Sequence, residues 1–296
     1  MEKKELSEEE LLAIVKDKFP KISWQIYEIF NNGWDNQVLM LDNSIVFRFP
    51  RNEYVKTVHQ KEKQLLATIK KHVDVVIPHY QFFTDDDSCV GYSAIPGKSM
   101  TVELYTKKMS PIDQKNVQNQ LAKFLTQLHT IPINLFETAW YTNEIGTSNE
   151  WSIHFKKEFS EKCGHLFTKE ETQIVLDYIQ ELQEKKASHR VMTHSDIQEK
   201  NIFIDDDLTH ISWIIDFSDA RIADSALDFD RLRDFGDDFV YAVYKAYQGK
   251  KDDEFLERSK FYRKRLFIYG LIYAVEHKKN IEENIAKLRK YFFEYK

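Results

Sequence analysis

The sequence predicts an α+β protein with two lobes, an N-terminal lobe built on an antiparallel sheet and a larger, mainly helical C-terminal lobe. Short apolar runs bounded by turn residues fill most of residues 24–95, as expected of antiparallel strands. Beyond them, apolar residues recur mainly at helical spacing. Pro96 and Gly97 break the chain where the pattern changes, so we place the lobes at residues 1–95 and 96–296.

Composition restricts the class of partner. The chain has 296 residues, 42% of them hydrophobic, which suffices for cores in two lobes. Its formal net charge of -6 argues against nucleic acid and fits a cationic small molecule better. The N-terminus is too charged for a secretory signal, no apolar stretch is long enough to span a membrane, and Cys89 and Cys163 are too few for a disulfide framework. We therefore expect a cytoplasmic monomer without a membrane partner.

The N-terminal elements are predicted from caps and turns. Ser7 and Glu10 form a capping box before a helix that ends at Pro20. Asn31-Asn32-Gly33 and Asp42-Asn43 then separate three short apolar runs, which indicates an antiparallel meander. A helix over 55–71 and strands at Val73–Ile77, Tyr80–Phe83 and Cys89–Ile95 complete the predicted lobe.

The C-terminal elements are mostly helices. Ser110 is the predicted N-cap of a long helix with Pro111 at its first position, and two more helices are expected near 150–185. Two short strands, Ile202–Ile204 and Ile211–Ile215, interrupt the helical pattern. Helices are predicted again from about Asp228 onward.

Two motifs beside those strands indicate phosphoryl transfer. The chain reads H-S-D-x-x-x-x-N from His194 to Asn201 and D-F-S at Asp216, close to the kinase patterns H-R-D-x-x-x-x-N and D-F-G. Asp196 is the candidate that accepts or orients the proton of a hydroxyl group. Asn201 and Asp216 offer the oxygen ligands that Mg²⁺ prefers, and a hairpin would bring them to the same end of adjacent strands. His194 is expected to hold the loop by hydrogen bonding.

Arg48 is the candidate phosphate clamp. It lies in a V-F-R-F strand at the place where a kinase has V-A-I-K. A buried cation needs a carboxylate partner, and we expect Glu62 on the following helix to supply it. The alternative is that Arg48 extends to solvent at a strand edge.

Other residues are predicted to contact the nucleotide. The loop from Asn31 to Asn36 lies where a kinase places its glycine-rich phosphate cover, with Gly33 and Asn36 as candidates, although a plain hairpin turn explains it nearly as well. Backbone groups of the strand before Pro96 would meet the base. The nucleotide-binding candidates on that strand are Tyr92, Ser93, Ala94 and Ile95, and Ile215 beside Asp216 is a further nucleotide-binding candidate.

Acidic residues are concentrated after the D-F-S motif. A cleft lined by charges of one sign concentrates ligands of the opposite charge, so an amino-sugar would suit it. A solvated acidic face is the alternative. The candidate substrate residues are Asp219, Asp228, Asp230, Asp234 and Asp237.

Together these motifs resemble those of the aminoglycoside phosphotransferase family of small-molecule kinases. The resemblance includes G-W-D-N at Gly33, V-F-R-F-P at Arg48, H-S-D-I-Q-E-K-N and I-I-D-F-S-D-A, and the V-F-R-F-P form looks most similar to 2''-phosphotransferases. It implies a protein-kinase-like fold, Asp196 as the catalytic aspartate, and Asn201 with Asp216 as magnesium ligands. It also implies ATP or GTP as phosphate donor, an aminoglycoside as acceptor, and antibiotic resistance as the outcome.

The sequence departs from the family pattern in places. Ser195 stands where glycine is frequent, Ser218 replaces the glycine of D-F-G, and the Ala-Pro-Glu element of protein kinases is absent, which counts against a protein substrate. Tyr92, as in similar enzymes, would disfavour ATP and permit GTP. The alternatives are a macrolide acceptor, a smaller metabolite such as choline, homoserine or an amino-sugar, and a pseudokinase, against which the intact Asp196, Asn201 and Asp216 speak.

Overall fold

A computed structural model describes residues 5–31, 35–94, 96–136, 149–185 and 189–294. Contacts divide the chain into two compact units. The first comprises Met1–Leu128 with Gln198–Asp219, and the second comprises His129–Ile197 with Ala220–Lys296. The lobe boundary expected after residue 95 stays a prediction, since these units group the chain differently.

The first unit contains a five-stranded antiparallel sheet with the order β1-β2-β3-β5-β4. Ser44 N–H donates to Leu41 O at 2.9 Å, and Asp42 and Asn43 have φ of 48° and 51°. Positive φ at both central residues is the type I′ geometry that matches the twist of a hairpin. The meander predicted from these turn residues is therefore present. The strands are β1 (Tyr27–Phe30), β2 (Asn36–Leu41), β3 (Ile45–Pro50), β4 (Phe82–Phe83) and β5 (Val90–Ser93).

The two faces of this sheet differ because side chains alternate along a strand. Phe47 and Phe49 point to one face and form a buried cluster with Leu11 and Val15 of helix α1 (Glu8–Lys18). The expected capping box of Ser7 and Glu10 starts that helix. Arg48, between the two phenylalanines, points to the other face, where it meets Glu62 of α2 (Glu53–Ile69).

A smaller sheet completes the first unit, with the order β6-β8-β9. Its strands are β6 (Lys98–Ser99), β8 (Ile202–Ile204) and β9 (Ile211–Ile214), and the helices α3 (Val102–Lys108) and α4 (Pro111–Thr130) follow β6 in the chain. The strand expected at Val73–Ile77 is wrong: only Val76 forms a bridge, to Trp213, because this segment has a single parallel contact and no continuous partner.

The second unit is mainly helical. Strand β7 (Arg190–Thr193) pairs antiparallel with β10 (Arg221–Asp224). Its helices are α5 (Asn149–Lys162), α6 (Lys169–Glu184), α7 (Asp237–Ala246), α8 (Phe255–His277) and α9 (Ile281–Arg289).

The segment after β10 differs from the sequence-based expectation. Two 3₁₀ helices, Ser225–Phe229 and Arg231–Phe235, occupy the place of the helix expected from Asp228, and the α-helix begins only at Asp237. Gly236 explains the delay, because its φ of 100° and ψ of 160° are incompatible with a continuous helix. Among the helices of the described residues, none combines the length and apolarity needed to cross a membrane.

Gly97 supplies a test of the packing in the first unit. Its φ is 109°, and a Cβ atom there would lie 2.3 Å from the carbonyl oxygen of Ile204. We expect Gly97→Ala to lower the free energy of unfolding by at least about 1–3 kcal/mol, since backbone strain adds to a clash with β8. Denaturant titration with circular dichroism measures the change.

The matched control is Gly236→Ala. Gly236 also has positive φ, but nothing lies within 4 Å of a Cβ atom built there. This variant therefore carries the backbone strain without the clash and should lose less stability. Equal losses in the two variants would show that the contact with Ile204 is unimportant.

Candidate active site

Asp228 fixes the backbone of the H-S-D segment in the second unit. Its Oδ2 accepts the His194 N–H at 2.9 Å and its Oδ1 accepts the Ser195 N–H at 2.6 Å. Asp228 is only 1% exposed, and its Oδ2 also lies 2.9 Å from Nε2 of His129. Burial acts to raise the pKa of Asp228, but the hydrogen bond and charge interaction with His129, together with the contacts to His194, outweigh it, and the pKa lies below its ordinary value. The carboxylate thus stays ionised while it holds two loop amides.

His129 and His194 belong to the same hydrogen-bond network as Asp228. His129 is buried at the end of α4, and its Nδ1 lies 2.8 Å from the hydroxyl oxygen of Tyr247. His194 is buried as well, and its Nδ1 accepts the Asp196 N–H at 3.3 Å. The geometry agrees with the expectation that His194 holds the loop rather than transferring a proton.

Ser195 turns the loop sharply. Its φ is 67°, in the left-handed region that glycine adopts without strain. Its Oγ lies 2.8 Å from Oγ1 of Thr193, whose hydroxyl in turn donates to the carbonyl of Arg221. This conformation explains why a glycine suits the position, and the hydroxyl pair supports the serine in its place.

Asp196 follows this turn and is 6% exposed. Its Oδ1 lies 2.7 Å from Nε of Arg231, whose side chain is 28% exposed. The sequence analysis did not identify Arg231, since nothing in the local pattern distinguishes it from Arg233 two residues later. The carboxylate predicted to orient an acceptor hydroxyl therefore has a cationic neighbour.

Asn201 and Asp216 lie at the same end of a hairpin in the first unit. Asn201 directly precedes β8, Asp216 follows β9, and Ile202 pairs with Ile214. Ile215 N–H donates to the carbonyl of Asn201 at 3.0 Å, which ties the two ends together. Asp216 has a φ of 68°, and its Oδ1 accepts the hydroxyl of Ser218 at 2.8 Å.

This pair of side chains suits magnesium bound with a nucleotide. Asn201 supplies an amide oxygen and Asp216 a carboxylate, and Mg²⁺ beside phosphates commonly takes only one or two protein ligands. Among the described residues, no group of three or more His, Cys, Asp or Glu side chains could hold a metal by itself. A Mg²⁺ ion that shares its coordination sphere with phosphate oxygens does not require such a group.

Arg48 is held by two buried partners in the first unit. Its Nη1 donates to Oε2 of Glu62 at 2.9 Å and to the hydroxyl oxygen of Tyr80 at 2.8 Å. Burial opposes the charge of Arg48, but the Glu62 carboxylate together with Tyr80, Tyr92 and Asp216 outweighs this and raises its pKa well above the ordinary value. The predicted ion pair is present, and a side chain 11% exposed does not fit the strand-edge alternative.

Glu62 also reaches the segment that follows Asp216. Its Oε1 accepts the N–H of Phe217 at 3.2 Å while its Oε2 accepts the Tyr80 hydroxyl at 2.6 Å. One buried carboxylate thus joins strand β3, helix α2 and the D-F-S motif. Tyr80 completes this cluster, although the sequence indicated it only as a strand residue.

The remaining nucleotide candidates differ in their surroundings. Tyr92 is buried on the Arg48 face of the sheet, and burial raises its pKa to about 12. Ser93 is exposed, and Ala94 already donates its N–H to Ser44 O at 2.6 Å. Asn36 is 6% exposed, and its buried Oδ1 has no hydrogen-bond partner within the described part of the chain. Gly33 and Ile95 lie outside the described residues.

The acidic run does not form a bare anionic face. Asp230 is 1% exposed and pairs with Arg265, so neither it nor the equally buried Asp228 lines an acidic cleft. Asp234 pairs with Arg263 at 2.6 Å, and Asp237 pairs with Arg233. The cause is that arginines lie opposite these aspartates and neutralise them. For Asp219, Asp234 and Asp237, contact with the substrate stays a prediction.

Asp228 generates a test of how the loop is held. In Asp228→Asn, one oxygen cannot serve both loop amides and His129, so we expect a loss of roughly 1–3 kcal/mol in stability. Because the loop carries Asp196, turnover should fall by at least about tenfold. Asp224→Asn is the control, since Asp224 is also buried but pairs with Arg258 and Tyr262. If both variants lose stability and neither loses turnover, Asp228 has no role in positioning.

Several solved structures similar to this chain are phosphotransferases. The GDP and kanamycin complex of APH(2")-IIIa has a TM-score of 0.84 and 20% sequence identity, and the match covers 97% of this chain and 99% of that one. The ADP-bound aminoglycoside phosphotransferase APH(2'')-Ib has a TM-score of 0.72 at 20% identity, covering 97% and 98%. A macrolide 2'-phosphotransferase type I has a TM-score of 0.72 at 16% identity, covering 97% and 99%. These likenesses confirm the kinase-like, two-lobed α+β fold that the motifs predicted.

A comparison of the sequence with protein families agrees with the fold. The model of the phosphotransferase enzyme family matches residues 26–259, well over half of the chain. The matched region contains the H-S-D and D-F-S motifs and the Arg48 strand. The chain belongs to the phosphotransferase enzyme family.

Proposed function

We propose that this protein is a small-molecule kinase that transfers the γ-phosphoryl group of ATP or GTP to a hydroxyl group of an aminoglycoside. The observation that carries the proposal is the hairpin that ties Asn201 to Ile215 and so brings the side chains of Asn201 and Asp216, whose oxygens suit Mg²⁺, to one end. The same motif, H-S-D-x-x-x-x-N, joins Asn201 along the chain to Asp196. Phosphoryl transfer requires both a metal-binding pair and a residue that orients the acceptor.

We assign nucleotide binding to the first unit. Mg²⁺, held by Asn201 and Asp216 when bound, supplies charge neutralisation on the phosphates. Arg48 keeps its charge through Glu62 and Tyr80, so its guanidinium offers a fixed cation for phosphate oxygens. Tyr92 lies on the same face of the sheet and is the candidate that selects the base.

We assign the orientation of the acceptor to the second unit. Asp196 orients the acceptor hydroxyl and accepts its proton as the acceptor oxygen bonds to the γ-phosphorus, while the bond from that phosphorus to the β–γ bridging oxygen breaks and ADP or GDP leaves. The fixed amides of His194 and Ser195 place the Asp196 backbone before the substrate arrives. Such preorganisation contributes to the rate because the reacting groups lose little freedom when they meet.

An aminoglycoside is favoured over a macrolide by two observations. Structures similar to this one include complexes with kanamycin and with gentamicin, and the formal net charge of -6 favours a cationic acceptor. A macrolide 2'-phosphotransferase also shares the fold, so a macrolide is the second candidate for the acceptor. The paired aspartates after the D-F-S motif add no support for either one, because their charges are largely neutralised.

The first test measures phosphate transfer to kanamycin, gentamicin and a macrolide, each with ATP and with GTP. We expect magnesium-dependent transfer to an aminoglycoside, and Asp196→Ala should reduce kcat by roughly 10²-fold or more while nucleotide still binds. Expression in a sensitive bacterium should confer resistance that this substitution abolishes. Asp207→Ala is the control, since this aspartate is exposed in the hairpin turn.

Two results would count against the proposal. Transfer only to the macrolide would move the acceptor to the second candidate. Undiminished turnover in Asp196→Ala would remove Asp196 from the mechanism, whatever the acceptor.

Arg48→Lys tests the phosphate clamp. Lysine keeps the charge but lacks the planar fork, so we expect the KM for nucleotide to rise by about tenfold. Tyr80→Phe is the matched control, because it removes one partner of Arg48 and leaves the ion pair with Glu62 in place. Steady-state kinetics at saturating acceptor gives both values, and an unchanged KM in Arg48→Lys would exclude Arg48 from phosphate binding.

A further inference from the structure

Arg231 lies against the residue that the proposed function makes catalytic. Its Nε is 2.7 Å from Oδ1 of Asp196, and the Asp196 side chain is only 8% exposed. An ion pair with one partner removed from water is screened less than one at the surface. The contact therefore bears on the state and orientation of the Asp196 carboxylate.

Two residues of one short segment, Asp228 and Arg231, contact the H-S-D loop. Asp228, in the 3₁₀ helix Ser225–Phe229, binds the amides of His194 and Ser195. Arg231 begins the next 3₁₀ helix three residues later. Asp228 thus contacts the backbone of the loop, and Arg231 contacts the carboxylate of Asp196.

The neighbouring arginines are engaged elsewhere. Arg233 pairs with Asp237, Arg263 pairs with Asp234, and Arg265 pairs with Asp230. These contacts join parts of the helical unit and involve no residue of the H-S-D motif. Arg231 differs from them because its partner is the motif aspartate and its side chain stays 28% exposed.

We propose that Arg231 is a positioning residue that holds the Asp196 carboxylate in the orientation in which it meets the acceptor hydroxyl. This inference rests on the proposed function. The positive charge of a guanidinium in this place holds the carboxylate in position before the substrate binds. Asp196 is therefore already oriented in the folded protein, and it loses little conformational freedom at the moment of transfer.

Kinetics of Arg231→Ala tests the proposal. We expect kcat to fall by roughly 10–100-fold while the KM for nucleotide stays within about threefold, because the first unit is untouched. Arg231→Lys should recover part of kcat, since it restores charge without the fork. Guanidinium ion added to Arg231→Ala should also raise kcat, a result that a merely structural role would not produce. Arg258→Ala is the control and should leave kcat within about twofold, because its partners Asp224 and Asp252 belong neither to the motif nor to the candidate substrate residues.

The outcomes separate this inference from the proposed function. An unchanged kcat in Arg231→Ala overturns it, and a higher kcat overturns it too, since Arg231 would then block Asp196. If the unaltered protein transfers phosphate to none of the acceptors, the proposed function fails. Thermal unfolding of Arg231→Ala, Asp196→Asn and the double variant then tests whether Arg231 and Asp196 interact. Non-additive changes in Tm support the interaction, and additive changes overturn it.

Discussion

A charge removed from water must have a partner, and this constraint shapes both compact units. Burying an unpaired ion costs several kcal/mol, more than most single contacts return. In the first unit the constraint brings Glu62 and Tyr80 to Arg48, and in the second it brings His129 and two amides to Asp228. Each set includes a partner from a distant part of the chain, Tyr80 for Arg48 and His129 for Asp228. The buried charges therefore fix how those elements pack as well as what the site contains.

The same constraint explains why an acidic sequence need not give an acidic surface. Between Asp224 and Asp238 the chain is rich in aspartate, yet Asp224, Asp230 and Asp234 each pair with an arginine of helix α8. These arginines lie about thirty residues later in the sequence, on one helix. Their pairing converts a charged segment into internal structure. Electrostatic attraction of a cationic acceptor would then depend on the charge of the whole protein more than on this segment.

The sequence predicted those features that local chemistry decides. The capping box at Ser7, the turn at Asp42 and Asn43, and the hairpin that aligns Asn201 with Asp216 all depend on neighbouring residues. Arg48 with Glu62 was also predictable, because a buried cation on a strand requires a carboxylate nearby. Partners such as Arg231 and His129 were not, since only the folded chain brings them to Asp196 and Asp228. The strand predicted at Val73–Ile77 is absent for a similar reason, since its apolar residues have no continuous partner strand.

Backbone strain at two motif residues links these observations to function. Ser195 and Asp216 have φ of 67° and 68°, a left-handed conformation that costs most residues roughly 1–2 kcal/mol and that aspartate adopts more readily than serine. Each strained residue is bound by its own hydroxyl contact, Ser195 to Thr193 and Asp216 to Ser218. Ser195 precedes the residue proposed to orient the acceptor, and Asp216 is itself a proposed metal ligand. The serines at positions 195 and 218 are thus departures from glycine that add hydrogen bonds where the backbone is strained, which favours a fixed loop over one that changes conformation.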